Sequence, residues 1–164
     1  MKIWIGIDNG VSGSIGAVYE DGTAHQFKMP VKHEPSYTKA KKFIHRIDFP
    51  ELSNTLLSEL CDGDYVAAMV LIERPMVNPM RFVATSSALR ALEATLIAVE
   101  QLKLPYQYID SKEWQKAMLP SGLEGDELKT ASAAVGRRLA PTAQIEGKDC
   151  DGLLMAFYAK QKYP

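Results

Sequence analysis

Three short runs near the start of the chain, at residues 2–7, 15–19 and 25–29, have the pattern of strands, and in the first of them isoleucines at positions 3, 5 and 7 alternate with Trp4 and Gly6. A period of two is typical of β-strands. Short turns separate the runs, and the second turn contains an Asp-Gly pair at residues 21 and 22, which favours a tight hairpin. Three strands joined by short turns predict an antiparallel meander. Residues 30–47, which come next, are polar and are predicted to be irregular.

After residue 47 the pattern changes to alternating helices and strands. Apolar residues three to four positions apart predict helices, which fall at residues 48–60, 86–102, 110–118, 126–139 and 149–162, with a turn at residues 61–64. Nearly continuous apolar runs at residues 65–72 and 105–109 predict buried strands. Strands that alternate with helices pair in parallel through crossover connections. The sequence therefore predicts an α/β fold, a mixed five-stranded sheet with helices on both faces, in one domain spanning residues 1–164.

The overall composition excludes several classes of protein but names no function. The net charge is −1, so no global basic excess points to nucleic acid. Cys61 and Cys150 are too few for a disulfide framework, which fits a reducing compartment. No run of about 18 apolar residues predicts a membrane span, and no secretory pattern precedes the first strand. We expect a cytoplasmic protein with no membrane partner.

Positive charge is concentrated in one segment, residues 28–46. It contains six basic residues and two histidines, opposed only by Glu34: Lys28, Lys32, Lys39, Lys41, Lys42, Arg46, His33 and His45. Such a segment, rich in turn-forming residues, is either an arm that contacts the phosphates of DNA or an ordinary solvated loop. The sequence leaves both interpretations open.

Carboxylates occur where strands end or a helix begins. Asp8 ends the first strand, Glu73 ends the fourth, and Asp149 and Asp151 open the last helix. Ligand sites in open α/β sheets lie at the carboxyl ends of strands. Carboxylates that meet there can hold hard divalent cations, and a pair of such ions can catalyse displacement at phosphorus. Each acid also has an ordinary interpretation, as a turn residue, as an ion pair between Glu73 and Arg74, or as a helix-capping acid.

Side chains outside these acids suggest no second chemistry. The three histidines lack the spacing of metal ligands, and no Ser-His or Cys-His constellation is evident. Cys150 lies between two acids but is a soft ligand, poorly suited to magnesium. Trp114 either packs in the core or stacks on a base.

Taken in order, these segments resemble the RuvC-type Holliday-junction resolvases of the compact phage kind, within the RNase H-like superfamily. Three segments carry the resemblance: Ile5-Gly6-Ile7-Asp8-Asn9-Gly10, Val70-Leu71-Ile72-Glu73 and Asp149-Cys150-Asp151-Gly152-Leu153-Leu154. Two more agree with it: Ser12-Gly13-Ser14-Ile15-Gly16 and Asp110-Ser111-Lys112-Glu113-Trp114-Gln115-Lys116. The resemblance covers nearly the whole chain, and the order and spacing of the motifs carry it.

The resemblance implies an RNase H-like nuclease that cleaves phosphodiester bonds in branched DNA as a homodimer, in bacterial or phage-infected cytoplasm. It implies two Mg²⁺ ions, for which Mn²⁺ is expected to substitute, held by Asp8, Glu73, Asp149 and Asp151. The residues expected to contact DNA are Lys32, Lys39, Lys41, Lys42, Arg46, Arg74, Arg81, Lys112 and Lys116. Lys148, with Lys116 as the alternative, is the candidate for stabilising charge in the transition state.

One departure from the family concerns the last two acids. The family places them three residues apart on one helical face, whereas Lys148 stands three residues before Asp151 in this chain. Asp149 is two residues before Asp151, and positions two apart do not share a helical face. Asp149 can reach the site only from a non-helical lead-in, for instance as an N-cap.

Two alternative functions stay open at this point. One is a non-catalytic RNase H-like protein that binds DNA structures. The other is a fragment of an actin-like or sugar-kinase ATPase, since the Asp-Asn-Gly segment resembles the phosphate loop of that fold. The ATPase fold needs two such domains to form its nucleotide cleft.

Overall fold

A mixed six-stranded sheet forms the centre of the molecule. The computed structural model describes residues 1–39, 41–61 and 65–164. The strands in chain order are β1 (Lys2–Asp8), β2 (Ser14–Tyr19), β3 (Ala24–Lys28), β4 (Val31–Pro35), β5 (Phe43–Ile47), β6 (Val66–Glu73), β7 (Tyr106–Ile109) and β8 (Gln144–Ile145). The sheet has the order β7-β6-β1-β2-β3-β8, while β4 and β5 form a separate hairpin. The β1-β2-β3 meander is antiparallel, and β1 pairs with β6, and β6 with β7, in parallel.

Helices cover both faces of this sheet. They are α1 (Phe49–Cys61), α2 (Phe82–Gln101), α3 (Ser111–Met118), α4 (Asp126–Leu139) and α5 (Asp151–Lys162), and a 3₁₀ turn, Pro79–Arg81, precedes α2. Alternate residues of β1 supply two hydrophobic cores. Ile5 packs in the core that includes Leu52 of α1 and Ala91 of α2. Trp4 packs in the core that includes Leu153 of α5 and Trp114 of α3.

Helix α5 lies directly on the sheet because glycine occupies the contact points. Gly6 on β1 is paired with Gly16 on β2, and both face the first turns of α5. A Cβ atom added to Gly6 would collide with the carbonyl oxygen of Gly152, and one added to Gly16 would collide with the backbone of Leu153. This close approach brings Asp151, the first residue of α5, to the sheet edge where β1 ends.

The predicted fold class is confirmed, and the differences are local. Residues 31–35 and 43–47 form the β4–β5 hairpin, where an irregular stretch was predicted. The sequence did not indicate these strands, because charges and prolines interrupt their apolar positions. Helix α2 begins at Phe82 rather than residue 86, after Asn78 caps the 3₁₀ turn by accepting a hydrogen bond from Met80 N at 3.0 Å. The two-residue strand β8 adds a sixth strand beside β3. The turn predicted at residues 61–64 falls mostly outside the described residues.

Helix α2 is apolar, yet most of it is at least partly exposed to solvent. The segment Pro79–Gln101 is long and apolar enough to cross a membrane, and only 22% of its most apolar part is buried. The sequence pattern had not predicted such a segment. Length and composition of this kind also occur in helices that pack against other protein surfaces, so the finding does not by itself place the chain in a membrane.

The glycine contact beneath α5 is expected to be sensitive to single methyl groups. Gly16→Ala should destabilise the protein by about 1–3 kcal/mol, because α5 must move away from β2 to accept the added atom. Gly10→Ala is the matched control, since a Cβ at that position meets nothing within 4 Å. Urea unfolding of both variants measures the difference, and equal midpoints would show that the α5 contact tolerates expansion.

Candidate metal and nucleic-acid site

Asp8 and Glu73 lie side by side at one edge of the sheet. Ile7 of β1 is paired with Ile72 of β6, so the acids that end these parallel strands follow neighbouring positions. Asp151 begins α5, which packs on the same two strands. Asp149 lies in the non-helical segment before α5. We refer to Asp8, Glu73, Asp149 and Asp151 as the acid cluster.

The other three acids of the cluster act electrostatically on Asp8. Its pKa is raised from 3.8 to about 8, first by burial and then by the negative charges of Glu73, Asp151 and Asp149. Lys129 of α4 opposes this rise. The other three acids therefore lie close enough to Asp8 to act on it electrostatically, and the role of the four as metal ligands stays a prediction.

Glu73 is held by a buried tryptophan. Trp114 Nε1 of α3 donates a hydrogen bond to Glu73 Oε2 at 2.7 Å, and the Trp114 side chain is fully buried. Burial raises the pKa of Glu73 above its usual value, although the bond from Trp114 counteracts the rise. Trp114 thus packs in the core and positions Glu73, and it is not free to stack on a base.

Asp151 is held by a serine of the neighbouring helix. Ser132 Oγ of α4 donates to Asp151 Oδ1 and also accepts a hydrogen bond from Cys150 N at 3.1 Å. Burial raises the pKa of Asp151 to about 6, while the bond from Ser132 opposes the rise. Ser132 is itself fully buried and Asp151 is half-buried, so this contact orients the carboxylate from the buried side.

Side chains from the sheet accept hydrogen bonds from the backbone N–H groups at the start of α5. Gly152 N donates to Ser14 Oγ at 3.0 Å, and Leu153 N donates to Gln26 Oε1 at 3.1 Å. The amide of Gln26 also donates to the carbonyl oxygen of Asp149 at 2.8 Å. The N-cap position belongs to Cys150, so the suggestion that Asp149 is the N-cap is wrong. Asp149 still approaches Asp8 because Gln26 holds the extended lead-in against the sheet.

The donor set of the acid cluster suits a hard divalent cation. Four carboxylates supply the oxygen ligands that Mg²⁺ and Mn²⁺ prefer, and their mutual repulsion is relieved when a cation neutralises it. Among the described residues, however, no three His, Cys, Asp or Glu side chains are arranged as a ready metal-holding group. Glu73 and Asp151 are instead hydrogen-bonded to Trp114 and Ser132. The residues therefore fit such an ion in chemistry, although their side chains are not drawn together around one point.

Lys129 is the site residue that sequence reasoning missed. It acts electrostatically on both Asp8 and Asp151, whereas neither Lys148 nor Lys116 is among the groups that shift these acids. Lys129 lies three residues before Ser132 on α4, and positions three apart share a helical face. The sequence predicted where α4 ends but not which of its faces meets α5. Lys129 could therefore be assigned to the site only after Ser132 was found to contact Asp151.

The predicted DNA-contacting residues lie in three places: on the β4–β5 hairpin, in the segment between β6 and α2, and on α3. Lys39, Lys41 and Lys42 are exposed in the loop that joins β4 to β5, while Lys32 and Arg46 both pair with Glu34, at 3.8 and 2.5 Å. Arg74 pairs with Asp110 at 3.1 Å and not with Glu73, so the ion-pair alternative for Glu73 is wrong. Arg81 and Glu73 line one cleft of about 250 Å³. Lys112 and Lys116 are exposed on α3.

Comparisons with known proteins agree with this fold. No protein-family model matches the sequence, and no curated protein matches it. Among solved structures, RuvC of T. thermophilus in complex with a Holliday junction substrate superposes with a TM-score of 0.58 at 16% identity, over 98% of this chain and 96% of that chain. A second Thermus thermophilus RuvC structure gives 0.56 at 16% identity, over 98% and 97%. The chain therefore has the fold of RuvC, and the resemblance seen in the sequence is confirmed at the level of fold.

The raised pKa of Asp8 predicts how the stability of the metal-free protein depends on pH. Asp8 holds its proton more tightly in the folded chain, with a pKa of about 8, than in the unfolded chain, where the value is 3.8. This group therefore favours folding at low pH, and that contribution is lost as the pH rises from about 4 to 8. Asp8→Asn should raise Tm in EDTA at pH 8.5 and change it little at pH 4.

The control for this measurement is Asp48→Asn at the start of α1, where Asn is as good a cap as Asp. A constant difference for Asp8→Asn across the same range would mean that the pKa of Asp8 is not raised in the folded chain.

Proposed function

We propose that this chain is a divalent-metal-dependent endonuclease that cleaves phosphodiester bonds in branched DNA, including four-way junctions. The observation that carries the proposal is the acid cluster, in which the negative charges of three further carboxylates act on a largely buried Asp8 and the positive charge of Lys129 opposes them. A protein gains no stability from such repulsion, so a functional reason is needed for it. The RuvC fold supports this reason, since one RuvC structure contains a Holliday junction.

The residues of the chain would divide the work as follows. Asp8, Glu73, Asp149 and Asp151 would hold two Mg²⁺ ions, which lower the pKa of a bound water and stabilise charge on the leaving oxygen. Trp114 and Ser132 would keep Glu73 and Asp151 oriented before DNA arrives. The exposed lysines of the β4–β5 loop and Arg81 beside Glu73 would contact phosphates.

Cleavage assays test the proposal directly. The wild type should cut a four-way junction in Mg²⁺ or Mn²⁺ and not in EDTA, and flap and fork substrates in the same assay define its preference. Asp8→Asn and Glu73→Gln should reduce cleavage at least 100-fold while junction binding is retained or strengthened, because each change removes negative charge that repels DNA. Asp48→Asn should cleave like the wild type.

A different result would support the non-catalytic alternative. That alternative has one observation in its favour, since the described acids are not arranged as a ready metal-holding group. Junction binding without cleavage under any metal, together with no calorimetric signal for Mg²⁺ or Mn²⁺, would replace the nuclease proposal with a DNA-structure-binding protein.

Lys129 would stabilise negative charge that develops at the scissile phosphate. It is the cation that acts on Asp8 and Asp151, and it lies on the helix that supplies Ser132. Lys129→Met should lower the single-turnover rate about 100-fold with little change in junction affinity. Lys148→Met is the matched control, and a larger loss for Lys148→Met would return the role to the residue first predicted from the sequence.

We also propose that the protein acts as a homodimer joined through the start of α2. Five apolar residues lie exposed together around the 3₁₀ turn, and we call them the apolar patch: Met76, Val77, Met80, Phe82 and Val83. Apolar patches of this kind usually mark contact surfaces. A second copy suits the patch better than a membrane does, because α2 carries Arg90 and Glu93 in its middle turns.

Two-fold symmetry would place two acid clusters on opposing strands of a symmetric junction. In sedimentation experiments the wild type should be a dimer at micromolar concentration, and Phe82→Glu should be a folded monomer. A wild type that stays monomeric at all concentrations would contradict the dimer while leaving the nuclease proposal intact.

A further inference from the structure

The β4–β5 hairpin carries three stacked rings. His33 on β4 lies opposite His45 on β5, and its ring stacks on His45 and on Phe43, with ring centroids 4.8 Å apart in both pairs. The interplanar angles are 28° and 30°, so the rings are close to parallel. We call these three residues the ring face. All three side chains are exposed, and 63% of Phe43 is accessible to solvent.

Packing within the hairpin does not account for this exposure. Ring pairs across two strands stabilise a hairpin by themselves, and that explains why His33 stacks on its neighbours. It does not explain why Phe43 leaves most of its ring in water at the end of the stack. An exposed aromatic face at the end of a fixed stack is a ready surface for another flat ring.

The positive charge of the hairpin is concentrated next to Phe43. Lys41 and Lys42 precede it directly, and Lys39 lies in the same loop. Within the described part of the chain, no acidic side chain is within ion-pair distance of these three lysines. Lys32 and Arg46, by contrast, share Glu34. The free cations therefore lie beside the free ring.

We propose that the ring face is a base-stacking surface, on which Phe43 takes an unpaired base of a DNA strand whose phosphates contact Lys39, Lys41 and Lys42. Rings that stack on bases beside cations that contact phosphates are the combination by which proteins bind single strands. Bases inside a duplex are already stacked on one another, so the surface selects an unstacked base, such as one at a branch point. The inference rests on the proposed function only in taking DNA as the ligand.

The test measures DNA binding by the full chain in EDTA, so that it does not depend on cleavage. The probes are a single-stranded oligothymidylate and a four-way junction with 2-aminopurine at the branch point. Phe43→Leu keeps an apolar side chain against His33 but removes the aromatic face, and Phe43→Trp restores an aromatic face. Replacing Lys39, Lys41 and Lys42 together by alanine provides the comparison for phosphate binding.

Phe43→Leu should bind the oligothymidylate and the junction roughly tenfold more weakly at every salt concentration, with the slope of log K against log salt unchanged. The fluorescence change of 2-aminopurine on binding should disappear, and Phe43→Trp should recover both affinity and signal. The triple lysine variant should instead flatten the slope by roughly one unit for each phosphate that the protein no longer neutralises. Binding to linear duplex should not distinguish Phe43→Leu from the wild type.

Several results would overturn the inference. Wild-type affinity and fluorescence in Phe43→Leu would show that the rings only stabilise the hairpin. A flattened salt slope in Phe43→Leu, or failure of Phe43→Trp to recover binding, would show that Phe43 acts only by holding the lysines in place. A wild type that binds and stacks on the base but never cleaves would refute the nuclease proposal and leave the stacking surface standing, whereas a wild type that binds no DNA would refute both.

Discussion

The contact of α5 with β1 and β2 is the constraint on which the site depends. Gly6, Gly16 and Gly152 have no side chains to separate the backbones at this contact, so the backbone of α5 approaches the backbones of β1 and β2 closely. Ser14 and Gln26 then satisfy the free N–H groups at the start of the helix. Those groups would carry a large cost if buried without partners. The same bonds fix the direction from which the last two acids approach Asp8.

Repulsion within the acid cluster destabilises the same part of the fold. Burial and three neighbouring carboxylates raise the pKa of Asp8 to about 8. Ionising Asp8 in the folded chain therefore costs free energy when no cation is bound. Two separate helices hold the acids in place despite this repulsion. Trp114 of α3 holds Glu73, and Ser132 of α4 holds Asp151. A cluster supported by one element would more easily relax by moving that element away.

Sequence patterns predicted the sheet, its parallel and antiparallel pairings and the position of Asp8 and Glu73, because strand periodicity and strand-end acids are local signals. They did not predict the β4–β5 hairpin or the early start of α2, where prolines and charges interrupt the apolar pattern. Ser132, Gln26 and Lys129 were also missed. Their importance comes from contacts between distant elements, and nothing in their own neighbourhood on the chain marks them.

The glycine contact determines when the acid cluster can be completed during synthesis of the chain. Gly6 and Gly152 are separated by almost the whole length of the described chain, so they meet only after α5 has left the ribosome. Until then Asp8 and Glu73 stand at an open sheet edge without Asp151, and the core face that α5 covers is exposed. A nascent chain thus lacks the complete acid cluster and leaves part of its core uncovered, and the docking of α5 ends both conditions.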